Sequence, residues 1–259
     1  MNRNQLKYLA AAAMVIDHIA WAFVPTASAA GLIMHMIGRL TAPVMIYFVV
    51  EGYCHTRNVK RYALRLGMSV PFSWAAFTYF EEGCLPIVLS PGKPDPSASN
   101  IQAVRIYLES IDATFTVYLV FGVMYTLFLG LLAIWLWDKG ECARLEKSLG
   151  IVGLYFLSLF GDWPVFGVAY CYYLFRYREQ TREKWTAFSV ITALCCMDIL
   201  FARPIWSGMW MLGIFMAPFL IQFGYNGESG SKKPFHKWFF YIFYPAHLLI
   251  LGFLKWGFR

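Results

Sequence analysis

The sequence predicts an all-α fold, a polytopic transmembrane helical bundle of about nine helices with a cytoplasmic N-terminus. Three observations lead to this class: 59% of the 259 residues are hydrophobic, the mean hydropathy is +0.52, and only 14% of the residues are charged. A soluble globular protein cannot cover its surface with so little charge, so lipid must surround most of the chain. The length fits one integral membrane domain over residues 1–259.

Apolar segments mark the individual helices, because a helix of about 20 residues crosses the hydrocarbon core. The fifth and sixth segments are short and meet at Gly161-Asp162-Trp163-Pro164, which indicates a tight hairpin or one broken element. In chain order the segments lie near residues 6–24, 30–54, 62–80, 115–137, 149–161, 164–176, 185–202, 206–224 and 238–256.

The N-terminus has the general pattern of a secretory signal peptide. Two basic residues precede an apolar stretch, and the small residues at 27–29 have the composition of a cleavage site. Asp17 and His18 argue against cleavage, because a signal peptide gains nothing from two ionisable groups at the end of its apolar region. We therefore expect the first helix to be retained.

Basic residues concentrate in alternate connections between the apolar segments. With the N-terminus in the cytoplasm, the inner connections hold most of the Lys and Arg residues, as the positive-inside rule requires. Topology therefore explains the net charge of +7 better than a nucleic-acid surface does, since the basic residues form no contiguous stripe. The inner basic residues are Arg3, Lys7, Arg57, Lys60, Arg61, Arg65, Lys139, Arg144, Lys147, Arg176, Arg178, Arg182, Lys184, Lys232, Lys233 and Lys237.

The longest polar connection runs from Glu81 to Asp112 and contains four prolines, at positions 86, 91, 94 and 96. Proline denies this connection a regular helix through its middle, and the topology places it outside the membrane. Its second half, from Ile101 to Ile111, has apolar residues at helical spacing. That pattern predicts either a surface helix that caps the site or a variable connecting loop.

Six cysteines lie at positions 54, 84, 142, 171, 195 and 196, without the CxxC spacing of zinc sites. Four of them fall in or beside apolar segments. We expect small core residues here, with no metal site and no disulfide framework.

Ionisable residues within apolar spans are costly and usually face a polar interior, so they mark candidate functional positions. Lys7 and His18 are eleven residues apart, which places them on one helix face about 16 Å apart along the axis. His35 enters the next span from the opposite side and reaches the depth of His18, so the two rings are expected to meet. For His18 the alternative is a hydrogen-bonded core histidine. The full set is Asp17, His18, His35, Arg39, Glu51, Asp162, Asp198 and His247.

Arg39 shares a helix face with His35, and inside a membrane its charge requires a partner or water. By depth the partner is Asp17 or Glu51. Pro43 is expected to kink the helix near these residues, so ideal helix geometry does not decide between the two acids. A buried ion pair that only fixes helix register is the structural alternative.

A basic segment follows the second span on the inner side. Arg57, Lys60, Arg61 and Arg65 either obey the positive-inside rule or, together with Lys7, bind an anion at the membrane surface. Coenzyme A has a 3′-phosphate and a pyrophosphate, which Arg and Lys side chains hold well while the slim thioester arm enters the bundle.

Several stretches of the chain resemble one known family. They are residues 14–19 (MVIDHI), 37–43 (IGRLTAP), 51–62 (EGYCHTRNVKRY) and 240–247 (FYIFYPAH), with further fragments at 126–133, 161–163 and 225–227. Together they resemble the TraX family. The layout is also similar to that of the acyltransferase family 3 of membrane enzymes, in which a basic residue precedes an essential histidine with ten residues between them. The chain departs from these patterns at Lys7, where Arg is usual, at Gly122 in place of Asn, and at Trp163-Pro164 in place of Tyr-Gly.

The resemblance implies a membrane-bound acyltransferase of the bacterial cytoplasmic (inner) membrane. The protein that gives TraX its name acetylates the N-terminus of conjugative pilin, so the implied cosubstrate is acetyl-CoA, with no permanently bound cofactor. The implied acceptor is either a pilin-like protein N-terminus or a hydroxyl or amine of an envelope glycan.

Roles for the candidate residues follow from this resemblance. His18 either accepts the acetyl group as an acyl-imidazole or acts as general base. Arg39 stabilises the thioester oxyanion or the CoA diphosphate, and Asp17 or His35 orients the imidazole. The CoA phosphates are expected on Lys7, Arg57, Lys60, Arg61 and Arg65, and the further candidates are Glu51, Asp162 and His247. The rival hypotheses are a proton-coupled secondary transporter and a non-catalytic membrane assembly partner.

Overall fold

The computed structural model describes residues 1–93, 103–141, 143–202 and 204–257. Pro94, Pro96, Ile101 and Cys142 lie outside these residues. The described chain is mostly helical. Its α-helices are α1 (Arg3–Phe23), α2 (Ala29–Gly38), α3 (Thr41–His55), α4 (Val59–Glu82), α5 (Val123–Lys139), α6 (Arg144–Leu157), α7 (Phe166–Arg176), α8 (Thr181–Cys195), α9 (Met216–Phe219) and α10 (Pro234–Trp256).

Short 3-10 and π segments continue several of these helices. They are Ser158–Phe160 after α6, Cys196–Phe201 after α8, Ile205–Phe215 before α9 and the π segment Leu220–Gly224 after it. Close packing accompanies this irregular backbone: a Cβ added at Gly213 would lie 2.1 Å from the carbonyl oxygen of Met36 in α2. Only glycine allows the two backbones to approach so closely.

Within the described residues, five helical segments are long and apolar enough to cross a membrane, as expected of a multi-pass membrane protein. The helices α6, with 14 residues, and α7, with 11, are too short to span alone. The count of about nine spans and the cytoplasmic N-terminus stay predictions. The five segments are Arg3–Phe23, Ala29–His55, Thr181–Phe201, Ile205–Gly224 and Pro234–Trp256.

The second spanning segment is two helices with a break, whereas the sequence predicted one helix with a kink at Pro43. α2 ends at Gly38 and α3 begins at Thr41, so the break falls at Arg39 and Leu40. Pro43 is the physical cause, because it has no N–H for the carbonyl four residues earlier, that of Arg39, and its ring clashes there. In the structure Pro43 occupies the first turn of α3, where its N–H is not needed.

A three-stranded antiparallel sheet corrects the all-α prediction. Strands β1 (Ile87–Pro91), β2 (Ala103–Leu108) and β3 (Ala113–Tyr118) pair in the order β1-β3-β2, with Leu89 and Ile106 both opposite Phe115. In the described part of the surface helix predicted from Ile101 to Ile111, residues 103–111 form a strand followed by one 3-10 turn. The six residues of β2 alternate strictly between partly buried and exposed, which is the period of a strand and not of a helix.

The sheet also shortens the span predicted at 115–137, since β3 takes its first residues and α5 begins at Val123. The Trp74 indole N–H donates to the Tyr118 carbonyl at 2.9 Å, which ties the end of β3 to α4. Beyond β3, Phe121 exchanges backbone hydrogen bonds with the α6–α7 connection, accepting from the Asp162 N–H at 2.7 Å and donating to the Phe160 carbonyl at 2.8 Å. This pairing brings Asp162 to the start of α5.

The five described cysteines are free thiols. Cys171 and Cys195 are buried, in agreement with their prediction as small core residues, whereas Cys54 is exposed.

Candidate functional site

Asp17, His35 and Arg39 form a buried polar cluster between α1 and the end of α2. The Asp17 carboxylate lies 2.7 Å from His35 Nδ1 through Oδ1 and accepts from Arg39 Nη2 at 2.9 Å through Oδ2. Gly38 permits this approach, because a Cβ there would lie 2.2 Å from Asp17 Cβ. The acid that pairs with Arg39 is therefore Asp17, and not Glu51.

The guanidinium of Arg39 is also held by aromatic rings. Its Cζ lies 4.5 Å from the Trp210 ring centroid and 5.5 Å from that of Trp163, a cation–π arrangement on two indoles. The side chain is only 12% exposed, and its Nε has no hydrogen-bond partner among the residues that the structure describes. The planar cation is thus fixed in place with donor capacity left for a ligand.

His18 contacts a different histidine from the one that the sequence predicted. Its Nδ1 lies 2.8 Å from the Met14 carbonyl oxygen and 3.3 Å from His247 Nε2, and the two imidazole centroids are 5.0 Å apart. His35 instead hydrogen-bonds Asp17. The structure therefore assigns the contact with His18 to His247, and neither Asp17 nor His35 orients the ring through its Nδ1.

A central cavity of about 360 Å³ brings most of these groups together. Its wall combines the imidazole of His18, the cation of Arg39 and three carboxyl groups, those of Asp17, Glu81 and Asp162. Within the described chain, no hydrogen bond engages His18 Nε2, so that atom is available to a ligand in the cavity. The remaining lining residues are Met14, Trp21, Gly38, Thr41, Ala42, Phe77, Val123, Trp163, Trp210 and Tyr244.

A side cavity of about 320 Å³ adjoins the central one. The two share Arg39, Asp162, Trp163 and Trp210, and the side cavity adds the exposed carboxyl of Asp198. The central and side cavities together present four carboxyl groups against one arginine that is already paired with Asp17. Their electrostatic character is therefore acidic.

Asp162 is positioned by its main chain. Its N–H donates to Phe121, and its carbonyl accepts from the Thr126 hydroxyl of α5. The next residue, Trp163, has φ +63°, a left-handed conformation that costs a bulky side chain free energy and persists only where the surroundings fix it. The turn thus holds both the Asp162 carboxyl and the Trp163 indole at the boundary between the two cavities.

A third space, of about 350 Å³, is lined by basic side chains and is called here the basic cavity. Of the residues predicted to hold phosphates, Lys7 and Arg65 line it, whereas Arg57, Lys60 and Arg61, here called the α4 basic cluster, do not. Sequence reasoning missed Arg3 and three lysines in the loop before α10 and in its first turn, called here the loop lysines. The loop lysines are Lys232, Lys233 and Lys237.

The positive-inside count could have found the loop lysines, because it already placed them on the same side as Lys7. Their separation along the sequence concealed the relation, because they follow Lys7 by more than two hundred residues. Only the packing of α10 on α1 brings these lysines close to Lys7.

Lys7 extends between two aromatic rings, with its Nζ 5.4 Å from the centroids of both Phe48 and Phe240. Glu51 lies close by but is engaged elsewhere: one carboxylate oxygen is 3.6 Å from Arg3 and accepts from the Tyr225 hydroxyl at 2.9 Å. Lys7 therefore keeps its charge available to the cavity, whereas Glu51 does not line the cavity and contacts Arg3 and Tyr225 instead.

The basic and central cavities are stacked along the same five helices, α1, α3, α4, α5 and α10. On α1 the basic cavity reaches Lys7 and the central one begins at Met14, while on α5 the lining residues Met124 and Val123 are neighbours in sequence. α3 and α10 repeat the pattern, with Phe240 lining one cavity and Tyr244 the other. Three methionines line the two cavities, Met45 and Met124 the basic one and Met14 the central one, and methionine is a flexible side chain that readily changes rotamer.

No cluster of three or more His, Cys, Asp and Glu side chains with the arrangement of a metal site occurs in the described residues. The chemistry of the cavities is that of an imidazole with one free nitrogen, a fixed guanidinium and several carboxylates. Such a set supports proton transfer and the stabilisation of an oxyanion.

Comparison with known proteins gives a family. The family model described as TraX protein matches residues 2–83 and 110–255. The chain is 29% identical, over 270 residues, to the probable fimbrial assembly protein FimC, serogroup H1, of Dichelobacter nodosus, and the match covers 97% of both chains. No solved structure matches. Because the family model covers most of the sequence and includes every residue that lines the three cavities, the chain belongs to the TraX protein family.

Proposed function

We propose that this protein is a membrane-bound acyltransferase that moves an acetyl group from acetyl-CoA to an envelope acceptor. The observation that carries the proposal is the position of His18, which has no hydrogen bond on its Nε2 within the described residues and lines a cavity that also contains the paired Arg39 and adjoins a basic cavity. The proposed location is the bacterial cytoplasmic membrane, with the basic cavity on the cytoplasmic side.

The basic cavity supports the binding of coenzyme A. Lys7, Arg65 and the loop lysines supply several cations at its walls, which suits a ligand with a 3′-phosphate and a pyrophosphate. Lys7 and His18 are about 16 Å apart along α1, so an extended thioester arm passes from one cavity towards the other. Met14, Met45 and Met124, flexible side chains in the walls of the two cavities, move aside for it.

His18 and Arg39 then act on the thioester. His18 Nε2 removes the acceptor proton as general base, or first accepts the acetyl group as an acyl-imidazole. In both routes the thioester oxygen becomes an oxyanion, and the guanidinium of Arg39 is a fixed donor for it. Because Asp17 and the two indoles already hold Arg39, little reorganisation accompanies the charge that develops.

The acidic character of the central and side cavities favours an amine as the acceptor over a neutral glycan hydroxyl. Asp162 and Asp198, with the indoles of Trp163 and Trp210, are the groups that attract an ammonium. The fimbrial assembly name of the Dichelobacter relative agrees with a pilin-like protein whose N-terminal amine enters from that side.

The test is acetyl transfer by the full-length protein, purified in detergent and supplied with labelled acetyl-CoA and a pilin-like peptide with a free N-terminus. We expect His18→Ala to lower the rate by about 10²- to 10⁴-fold. His55→Ala is the matched control, since His55 is exposed and lines none of the three cavities. Equal transfer by the His18 and His55 variants contradicts the proposal.

The word assembly in the relative's name favours a second candidate, a non-catalytic assembly partner for a fimbrial apparatus. That function requires no turnover of acetyl-CoA and leaves pilus assembly in cells intact in His18→Ala. Loss of both acetylation and assembly in that variant favours the enzyme.

A further inference from the structure

The contact between His18 and His247 determines which ring nitrogens carry protons. His18 Nδ1 lies 2.8 Å from the Met14 carbonyl oxygen, and His247 Nδ1 lies 2.9 Å from the Phe243 carbonyl oxygen. A carbonyl oxygen only accepts hydrogen bonds, so each Nδ1 must carry a hydrogen and donate. Both neutral rings are therefore Nδ1–H tautomers, with a lone pair on Nε2.

The two tautomers are complementary. His247 Nε2, an acceptor, lies 3.3 Å from His18 Nδ1, whose N–H is thus shared between His247 and the Met14 carbonyl. His18 lines the central cavity, and its Nε2 keeps an uncommitted lone pair within the described residues. The reverse arrangement, with His247 donating from Nε2, would make His18 Nδ1 an acceptor whose lone pair lies 2.8 Å from the Met14 carbonyl oxygen, which is repulsive.

Neighbouring rings hold the pair in this geometry. Phe243 stacks on His247 with centroids 5.0 Å apart and an interplanar angle of 11°, and Phe80 packs edge-on against His18 at 5.4 Å. His247 is only 6% exposed, so water does not compete for its Nε2. The nearest carboxylate in sequence, that of Asp17, is occupied by His35 and Arg39.

We propose that His247 is a positioning residue for His18, the neutral counterpart of the carboxylate that orients histidine in hydrolytic triads. The proposal rests on the acyl transfer proposed above. As the acceptor amine forms its bond to the acetyl carbon, its proton passes to His18 Nε2. The C–S bond then breaks, and the coenzyme A thiolate takes that proton from Nε2. Between these steps His18 is an imidazolium, and its Nδ1–H donates to His247 Nε2.

The first experiment compares three variants of the full-length protein in detergent, with kcat and KM for acetyl-CoA as readouts. His247→Gln keeps an acceptor oxygen near the position of Nε2, whereas His247→Asn reaches only as far as Nδ1 and His247→Phe has no acceptor. We expect kcat to fall about three-fold in the Gln variant and about thirty-fold in the other two, with KM unchanged.

A purely structural role predicts a different order, because phenylalanine best preserves the ring and its stacking on Phe243. Activity of His247→Phe equal to or above that of His247→Gln overturns the proposal. If His247→Phe does not fold, the comparison of Gln with Asn still decides, since equal kcat in those two also overturns it.

The second experiment does not depend on acetyl transfer. Diethyl pyrocarbonate modifies the free Nε2 of a neutral imidazole, and mass spectrometry of peptides gives the rate at each histidine. We expect His18 to react about ten-fold more slowly in His247→Asn than in the unsubstituted protein, with His247→Gln in between. His55 is the internal control, because its Nδ1 also lies 2.8 Å from the carbonyl oxygen four residues earlier, that of Glu51, but no second histidine contacts it.

Equal rates at His18 in all variants overturn the role of His247. The expected order of rates in a protein that transfers no acetyl group supports the histidine pair and refutes the proposed function alone.

Discussion

Replacing Gly38 by alanine tests whether close packing of α1 on α2 builds the site. A Cβ at Gly38 would lie 2.2, 2.3 and 2.6 Å from Cβ, Cγ and Oδ1 of Asp17, more than 1 Å inside ordinary van der Waals contact. Either the helices separate or Asp17 rotates away from His35 and Arg39. Overpacking costs about 1–3 kcal/mol, and breaking a buried ion pair costs about 3–5 kcal/mol. The higher helix propensity of alanine relative to glycine offsets only about 1 kcal/mol of this cost.

We therefore expect Gly38→Ala to lower the free energy of unfolding by about 2–4 kcal/mol, the cost of the broken ion pair less the gain in helix propensity, measured by thermal unfolding in detergent, and to abolish acetyl transfer. Gly153→Ala in α6 is the matched control, because a Cβ there meets no atom within 4 Å. The same substitution should stabilise that position by up to about 1 kcal/mol. A melting temperature for Gly38→Ala at or above that of the unsubstituted protein refutes the reasoning.

Three further predictions concern the separate parts of the site. Arg39→Lys keeps the charge but loses the planar fork, so kcat should fall about 100-fold while the protein stays folded, as single-turnover rates and thermal melts will report. Replacing the loop lysines by glutamine should raise KM for acetyl-CoA with kcat retained. The same change in the α4 basic cluster should leave KM unaltered, and steady-state kinetics at fixed ionic strength compare the two sets of variants. Asp162→Asn should raise KM for a cationic peptide acceptor and leave KM for acetyl-CoA unchanged, and an equal effect on both substrates contradicts the assignment of the acidic side to the acceptor.

Composition was enough to predict a multi-pass helical membrane protein, because hydropathy averages over many residues and tolerates local error. The same averaging concealed the sheet. In β2 the neighbours of Val104, Ile106 and Leu108 are compatible with a helix, which favours the prediction of a helical period. These three apolar residues fall at every second position, however, and that spacing fits the period of a strand better. Only the pairing with β3, through residues separated by a polar connection, makes the strand stable.

Buried charge was the most informative signal for the site. A guanidinium within a span needs an acid, and that requirement restricted Arg39 to Asp17 or Glu51 before any coordinates were known. The choice depended on the backbone break at Arg39 and Leu40, which a helical wheel drawn through both helices does not take into account. The contact of His18 with His247 was likewise beyond sequence reasoning, since it joins the first and last helices through tertiary packing.

The segments that the family model matches contain every residue that the proposed mechanism uses. Every lining residue of the three cavities lies within 2–83 or 110–255. Strands β1 and β2, in contrast, both lie entirely in the unmatched stretch between these ranges. His18, Arg39, Asp162 and the helices around them are therefore what this chain shares with its family. β3 falls within the matched part and is anchored through Tyr118 to Trp74 of α4, so the added strands are attached to the shared bundle without supplying any residue of the site.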